Sequence, residues 1–363
     1  MDLLAVRAGL PVLDRCAYLN AGTFGPLPRA AVEAMQAVER LELERGRSSR
    51  EYFERALADR DELKAALAGL LGTSPDCIAL TASTTEGCNV VLSGLGIGPG
   101  DEVVTTDSEH PGLFGGLVAS GAAIRAAAIR DRPAGEALGA LEAELTPRTN
   151  LIAVSHVSWL TGAVLPIREL GGHGVPVLVD GAQAAGAVPV SVEELGCDFY
   201  TVSAQKWLLG PAATGCLYVR RDWVGELRVT FPSYLGWQLP DYVPVESAQR
   251  YEGGWTPVAS VAGLLAALAF ADEAGDERFG RAREAADRCR SLLAERGAEV
   301  VTEPGQGTLV SFRAEGPAKL VERLAERGVV VRDLPGTGLV RASCGFWTSE
   351  EDLERLADGV ARA

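Results

Sequence analysis

Histidine is scarce in this 363-residue chain, with three at positions 110, 156 and 173. The seven cysteines (16, 77, 88, 197, 216, 289 and 344) include no CxxC pair. Residues spaced this way predict neither a metal site nor a disulfide framework, and they fit buried thiols in a reducing cytoplasm. No apolar run reaches the roughly eighteen residues that a membrane-spanning helix needs. The N-terminal MDLLAVRAGLPVLD lacks a long apolar core and a cleavage site, so no signal peptide is expected. Positive charge is also short: 34 basic residues face 49 acidic ones, for a formal charge of −15. Such a surface, without a basic stripe, disfavours nucleic acid and anionic membranes as partners. The first strand–turn–helix lacks GxGxxG, so no pyrophosphate cradle for a nicotinamide cofactor is visible.

What is present is a globular composition, 47% hydrophobic and 23% charged. The length predicts one large and one smaller domain. We place the large one at 16–250 and the small one at 251–363, joined by the N-terminal segment 1–15. Residues 1–28 read as irregular, followed by amphipathic helices at 29–45 and 51–71. Strand and helix signals then alternate: CIALT, TTEGCNVVLSGL, EVVTT, PGLFGGLVAS, LIAVSHV, PVLVD and DFYTVS. This alternation predicts an α/β fold with a mostly parallel central sheet flanked by helices. CLYVRR (216–221) reads as an antiparallel return strand, and 222–252 as an irregular Trp-, Tyr- and Pro-rich crossing. Helices at 257–274 and 278–296 lead into a small α+β unit: TLVSFRAEG, a helix at 317–327, VVVR, GLVRAS and a last helix at 349–361.

The chemistry concentrates where strands end. VPVLVDGAQAAG places Asp180 and Gln183 at one strand end, and CDFYTVSAQKWLLGP places Ser203, Gln205 and Lys206 at another. Ligands of open α/β sheets bind at the carboxyl ends of the strands. An acid, an amide, a hydroxyl and a lysine there suit pyridoxal 5′-phosphate (PLP): the lysine forms the Schiff base and the acid keeps the pyridine nitrogen protonated. Ser83, Thr84 and Thr85 stand where a strand becomes a helix, fit for a phosphate or for a plain N-cap. His110 follows EVVTT, placed to stack on the cofactor or to sit satisfied in its loop; His156 and Trp159 end LIAVSHVSWL and rank lower as pocket residues. Arg341 falls inside an apolar strand, where it requires an anion, either a substrate carboxylate or a structural partner. Arg332 ends VVVR and suits a second carboxylate. The aromatics Tyr234, Trp237, Tyr242, Tyr251 and Trp255 fit either a pocket wall or packing at the domain junction.

Together these residues resemble the class V aminotransferase family of PLP enzymes, fold type I, over nearly the whole chain. The specific match is Asp-x-x-Gln at 180–183 with the lysine 26 residues after the aspartate. The resemblance implies that Lys206 carries PLP, Asp180 pairs the pyridine nitrogen, Gln183 touches the phenolic oxygen and His110 stacks on the ring. It implies phosphate contacts from Thr84, Thr85 and Ser203, and from Thr256 of a partner subunit in a homodimer. Arg341 would take the α-carboxylate, with Arg332, Asn20 and Trp159 completing the substrate site. Many members have histidine before the lysine; Gln205 stands there, able to donate to phosphate but never cationic. SEHPG, SHVSWLTGAVLPI, QKWLLGP and the Arg332–Arg341 pair followed by Ala-Ser-Cys are similar to L-cysteine/cystine C–S lyases. Cysteine desulfurases need a loop cysteine before the arginine strand, and RDLPGTGLV has none. The expected reaction is β-elimination of cysteine, cystine or a cysteine S-conjugate or sulfoxide. Desulfuration with Cys344 as acceptor, epimerisation and transamination are the alternatives.

Overall fold

A computed structural model describes residues 1–362 of the chain. Seven strands form the central sheet: β1 (Ile78–Thr81), β2 (Glu102–Thr106), β3 (Ala123–Ala127), β4 (Thr149–Ser155), β5 (Val177–Asp180), β6 (Phe199–Ser203) and β7 (Gly215–Val219). Their order across the sheet is β1-β7-β6-β5-β4-β2-β3. Only β7 runs antiparallel to its neighbours, as its sequence predicts. Strands β1, β2, β4, β5 and β6 therefore end at the same edge of the sheet.

The alternation of side chains splits the strands between two cores. Ile78, Leu80, Val104, Ile152, Val154, Val177, Val179 and Val202 face one core, with Leu63 and Leu67 of helix Arg50–Leu71. Ala79, Val103, Leu151, Ala153, Leu178 and Phe199 face the other, under helices Thr84–Leu95 and Pro111–Ser120. Burial on both faces explains why these strands read as continuous apolar runs rather than alternating ones. Helix Val258–Glu273 packs along Arg29–Arg45 and lends Val261 and Leu264 to the first core.

A second sheet, β8 (Leu309–Arg313), β9 (Arg332–Leu334) and β10 (Leu339–Ser343), is antiparallel in the order β8-β10-β9. Its own core includes Phe312, Val340, Leu293 and Leu356. The segment read as one strand, VVVR, divides: Val329–Val330 pairs in parallel with Ala17–Tyr18, and the chain then turns to pair Arg332 with Arg341. Two partners on opposite sides claim one short run. The start of the chain is more ordered than its composition suggests. Leu3–Ala8 is helical, capped by Asp2, whose carboxylate accepts from Leu4 N and Ala5 N. No single helix among the described residues is long and apolar enough to cross a membrane.

Candidate active site

The shared sheet edge opens on a cavity of about 210 Å³. It is lined by residues from five loops: Ser83, Thr84 and Thr85 after β1, His110 after β2, Trp159 after β4, Gln183 after β5, and Ser203, Gln205 and Lys206 at and after β6. The small sheet closes the far side with Arg332 and Arg341, and Gly22 and Thr23 complete the wall. An inner recess adds Asp180 and Ser155 beside Lys206 and His110. A larger open groove of about 700 Å³, bounded by Leu70, Leu265 and Leu268, holds none of the residues singled out from sequence.

Local structure aims each group. Ser83 caps the helix Thr84–Leu95, its Oγ accepting from Glu86 N at 3.2 Å. Thr84 N donates to Ser203 Oγ at 3.0 Å. Backbone donors at the helix start and three hydroxyls thus gather at one end of the cavity, the arrangement that binds phosphate. Gln205 beside them has a buried Oε1 with no hydrogen-bond partner. In the inner recess Asp180 is buried, and Ala182 N donates to its Oδ1 at 2.9 Å. Burial raises its pKa while the charge of Lys206 opposes that shift.

The orientation of Gln183 is fixed by chemistry. Trp207 Nε1, which can only donate, gives its hydrogen to Gln183 Oε1 at 2.9 Å. Gln183 Nε2 then donates to Gly22 O at 2.9 Å and keeps a second hydrogen for a ligand. His110 is also fixed: its Nδ1 accepts from Gly112 N at 3.0 Å, which leaves the ring hydrogen on Nε2. Its ring stands edge-on to Trp159, 5.2 Å between centroids. Burial, then the positive charges of Lys206, Arg341 and Arg332, push its pKa down to about 4, so the imidazole is neutral.

Lys206 is pushed down to about 8, first by burial and then by Arg341 and Arg332, against the pull of Asp180. A free amine near neutrality is what carbonyl condensation and proton abstraction both require. Arg341, 2% exposed, has its pKa lowered to about 9 by burial and by Arg332. Its Nη1 donates to Trp159 O at 3.0 Å, and its Nε has no partner. Among the described residues no carboxylate lies within ion-pair distance of Arg332 or Arg341.

Several residues singled out from sequence lie outside this cavity. Asn20 stands behind it, its Oδ1 accepting from Thr23 Oγ1 at 2.8 Å. Thr256 lies in the partly exposed segment before helix Val258–Glu273 and does not line the cavity of its own chain. His156 turns into the core, with Nδ1 2.9 Å from Tyr200 OH. None of the aromatics Tyr234, Trp237, Tyr242, Tyr251 and Trp255 lines the cavity: Tyr251 is buried against Leu227 O, and Trp255 lies under the Arg60 guanidinium.

Sequence reasoning missed Thr23, Gly22, Ser155 and Glu109. Glu109 is buried behind His110, accepting from Ser155 N and Oγ and from Thr106 Oγ1; burial pushes its pKa up to about 7. The only signal was an acid flanking the strand-end histidine. The glycines of the N-terminal segment are required by close approach. A Cβ on Gly25 would lie 2.1 Å from Lys206 O, and one on Gly22 would lie 2.8 Å from Arg341 Nη2.

Known proteins resemble the chain over nearly its whole length. The structure of the cystine C–S lyase C-DES in complex with its reaction product cysteine persulfide superposes with a TM-score of 0.92. It is 31% identical, covering 97% of this chain and 99% of that one. A C-DES mutant with glycine covalently linked to the PLP cofactor gives a TM-score of 0.91 at 30% identity, covering 98% of each chain. Isopenicillin N epimerase of Streptomyces clavuligerus is 30% identical, covering 94% of this chain and 93% of its own. A probable cysteine desulfurase of Halobacterium salinarum is 29% identical, covering 100% and 97%. The model of the family described as Aminotransferase class-V matches residues 17–356. This chain belongs to the class-V aminotransferase family and is a PLP-dependent enzyme of that family.

Proposed function

We propose that the enzyme is a carbon–sulfur lyase that converts cysteine, cystine or a cysteine S-conjugate or sulfoxide to pyruvate, ammonia and a sulfur product. The observation that carries this reading is a cavity that joins an amine and two unpaired guanidiniums but, among the described residues, is lined by none of the seven cysteines. Cys344, the nearest in sequence to Arg341, is fully buried in the core of the small sheet, and its thiol pKa is raised by the neighbouring Cys289 and by burial. A protonated, enclosed thiol is a poor sulfur acceptor.

PLP suits the residues present. Lys206 would hold it covalently and Asp180 would take the ring N–H. The Thr84–Thr85 helix start, Ser203 and Gln205 would hold the phosphate. Gln183 would donate its second hydrogen to the phenolic oxygen, and His110 would cover the ring. Bound, the cofactor supplies an electron sink for charge developing at Cα. Arg341 binds the α-carboxylate and orients the Cα–H bond. Lys206, freed when the substrate amine takes its place, would remove the Cα proton. The electron pair left at Cα forms the Cα–Cβ double bond as the Cβ–S bond breaks, and sulfur leaves with that bond's electrons. Water then releases ammonia and pyruvate. Trp159 and neutral His110 close this space without adding a competing charge.

The experiment is a product assay on the PLP-loaded enzyme with cystine, cysteine and a cysteine sulfoxide. Pyruvate and ammonia are expected, with turnover unchanged in Cys344→Ala. Alanine with protein-bound sulfane sulfur, lost in that variant, would establish desulfuration instead.

We also infer that two copies of the chain associate. Phe24, Leu27, Phe53, Leu57, Phe231, Tyr234, Leu239 and Tyr242 are large apolar or aromatic residues left exposed, surface that a second copy would cover. A partner would also offer Thr256 a cavity, since it does not line the active-site cavity of its own chain. Sedimentation equilibrium should return twice the 38.1 kDa chain mass; a monomer at micromolar concentration would remove this element.

A further inference from the structure

Arg332 and Arg341 are directly opposed across the antiparallel pair β9–β10. Opposed like charges destabilise a sheet, and no carboxylate of the described chain answers them. What they share is a neutral hydroxyl. Thr23 Oγ1 accepts from Arg332 Nη1 at 3.1 Å and from Arg341 Nη2 at 3.5 Å. Its single hydrogen goes to Asn20 Oδ1 at 2.8 Å, so the hydroxyl is saturated.

Thr23 cannot drift from this position, because the segment around it is pinned on three sides. Gly22 N donates to Ser343 Oγ at 3.1 Å, Gln183 Nε2 donates to Gly22 O, and Gly25 N donates to Gln205 O at 2.7 Å. The two guanidiniums differ in depth: Arg341 is enclosed and also held by Trp159 O, whereas Arg332 is partly exposed. An isolated salt bridge would have placed an acid at position 23. A hydroxyl orients both cations and leaves both charges available.

We propose that Thr23 is a specificity-determining positioning residue. It holds Arg332 and Arg341 apart as two separate anion receptors, so that the site selects an amino acid carrying a second acidic group on its sulfur side. The inference rests on the reading of this cavity as the substrate site, and it deepens that reading. Arg341 takes the α-carboxylate. Arg332, the outer cation, takes the second anion and depends on Thr23 for its aim. Losing the hydroxyl therefore weakens recognition of the second group while leaving the first to Arg341 and Trp159 O.

The test does not need turnover, so it stands apart from the lyase assignment. Calorimetric titrations of the PLP-loaded protein would compare acetate with the unreactive dicarboxylates from malonate to adipate. At least one dicarboxylate should bind about tenfold more tightly than acetate, and Thr23→Val should erase most of that ratio, the scale of one hydrogen bond to a charged group. Thr23→Ser should retain it. Thr23→Val should add little to Arg332→Gln in a double-mutant cycle, with an unchanged cofactor absorbance band confirming that each variant is folded. Equal affinity for acetate and every dicarboxylate would overturn the proposal, as would an equal loss from Thr23→Val with and without Arg332. Dicarboxylate selectivity without pyruvate formation would instead retain this proposal and remove the lyase reading.

Discussion

Lys206→Ala should lower kcat for β-elimination by about 10²–10⁴-fold, the contribution of a positioned general base, and should also abolish the covalent hold on PLP. A merely structural lysine would cost stability instead, and here the two outcomes separate by pH. Lys206 titrates at about 8 in the folded chain against an ordinary 10.5, chiefly because burial disfavours the ammonium. Between those values the unfolded chain binds more protons than the folded one, so the stability of the cofactor-free protein rises with pH through that window. Below about pH 8 the buried ammonium costs stability in full. Denaturant unfolding of the cofactor-free protein at pH 8 and pH 10 should show this rise in wild type relative to Lys206→Ala. Full activity in the variant would remove Lys206 from its role, and a wild-type-minus-variant stability difference flat across that range would show that burial does not depress its amine.

The cofactor end of the site is legible because each residue there belongs to a simple sequential device. A parallel strand buried on both faces is a short apolar run, and the residues just past its end lie at the reactive edge by topology alone. Val177–Asp180 and Phe199–Ser203 thus announce Asp180 and Lys206 without any tertiary information. Ser83 announces itself as a cap, and Arg341 as a cation inside an apolar strand. Strand Ala123–Ala127 is invisible by the same logic. It lies at the sheet edge, carries AIRAA rather than a β-branched run, and is largely uncovered, so its pairing with Glu102–Thr106 is all that makes it a strand.

Thr23 is invisible for a different reason. YLNAGTFGPLP has no period, and its glycines mark a path rather than a turn: they let the backbone pass between Lys206 and Arg341. Only the assembled small sheet brings a hydroxyl from position 23 to guanidiniums at 332 and 341. Glu109 escaped notice because a buried acid satisfied by Thr106 and Ser155 looks in sequence like any loop glutamate. The chain also declares its aromatics at 231–255 as a possible pocket wall, yet they pack or face outward. Sequence alone cannot distinguish a side chain that lines a cavity from one that covers a junction.

Arg341→Met should make the unliganded protein more stable and the enzyme far worse. The guanidinium is buried, faces Arg332 and has no carboxylate partner; its pKa, depressed to about 9, records that cost. A methionine of similar length forfeits the charged donor's hydrogen bond to Trp159 O, worth about 1.5–3 kcal/mol, and the long one to Thr23 Oγ1. It also removes an unpaired buried charge, whose desolvation costs on the order of several kcal/mol. The net change is a melting temperature equal to or above wild type, measured without substrate. Catalysis should move the other way. Two charge-assisted hydrogen bonds to the α-carboxylate, each about 1.5–3 kcal/mol, correspond to about 10²–10⁴-fold in kcat/KM at 1.36 kcal/mol per decade. Adding a saturating amino acid should raise the melting temperature of wild type and leave that of the variant unmoved. A structural arginine predicts the reverse pairing, a lowered melting temperature with kcat/KM retained. Destabilisation of this kind, held at the place where an anion must dock, is what a binding site built before its ligand arrives should look like.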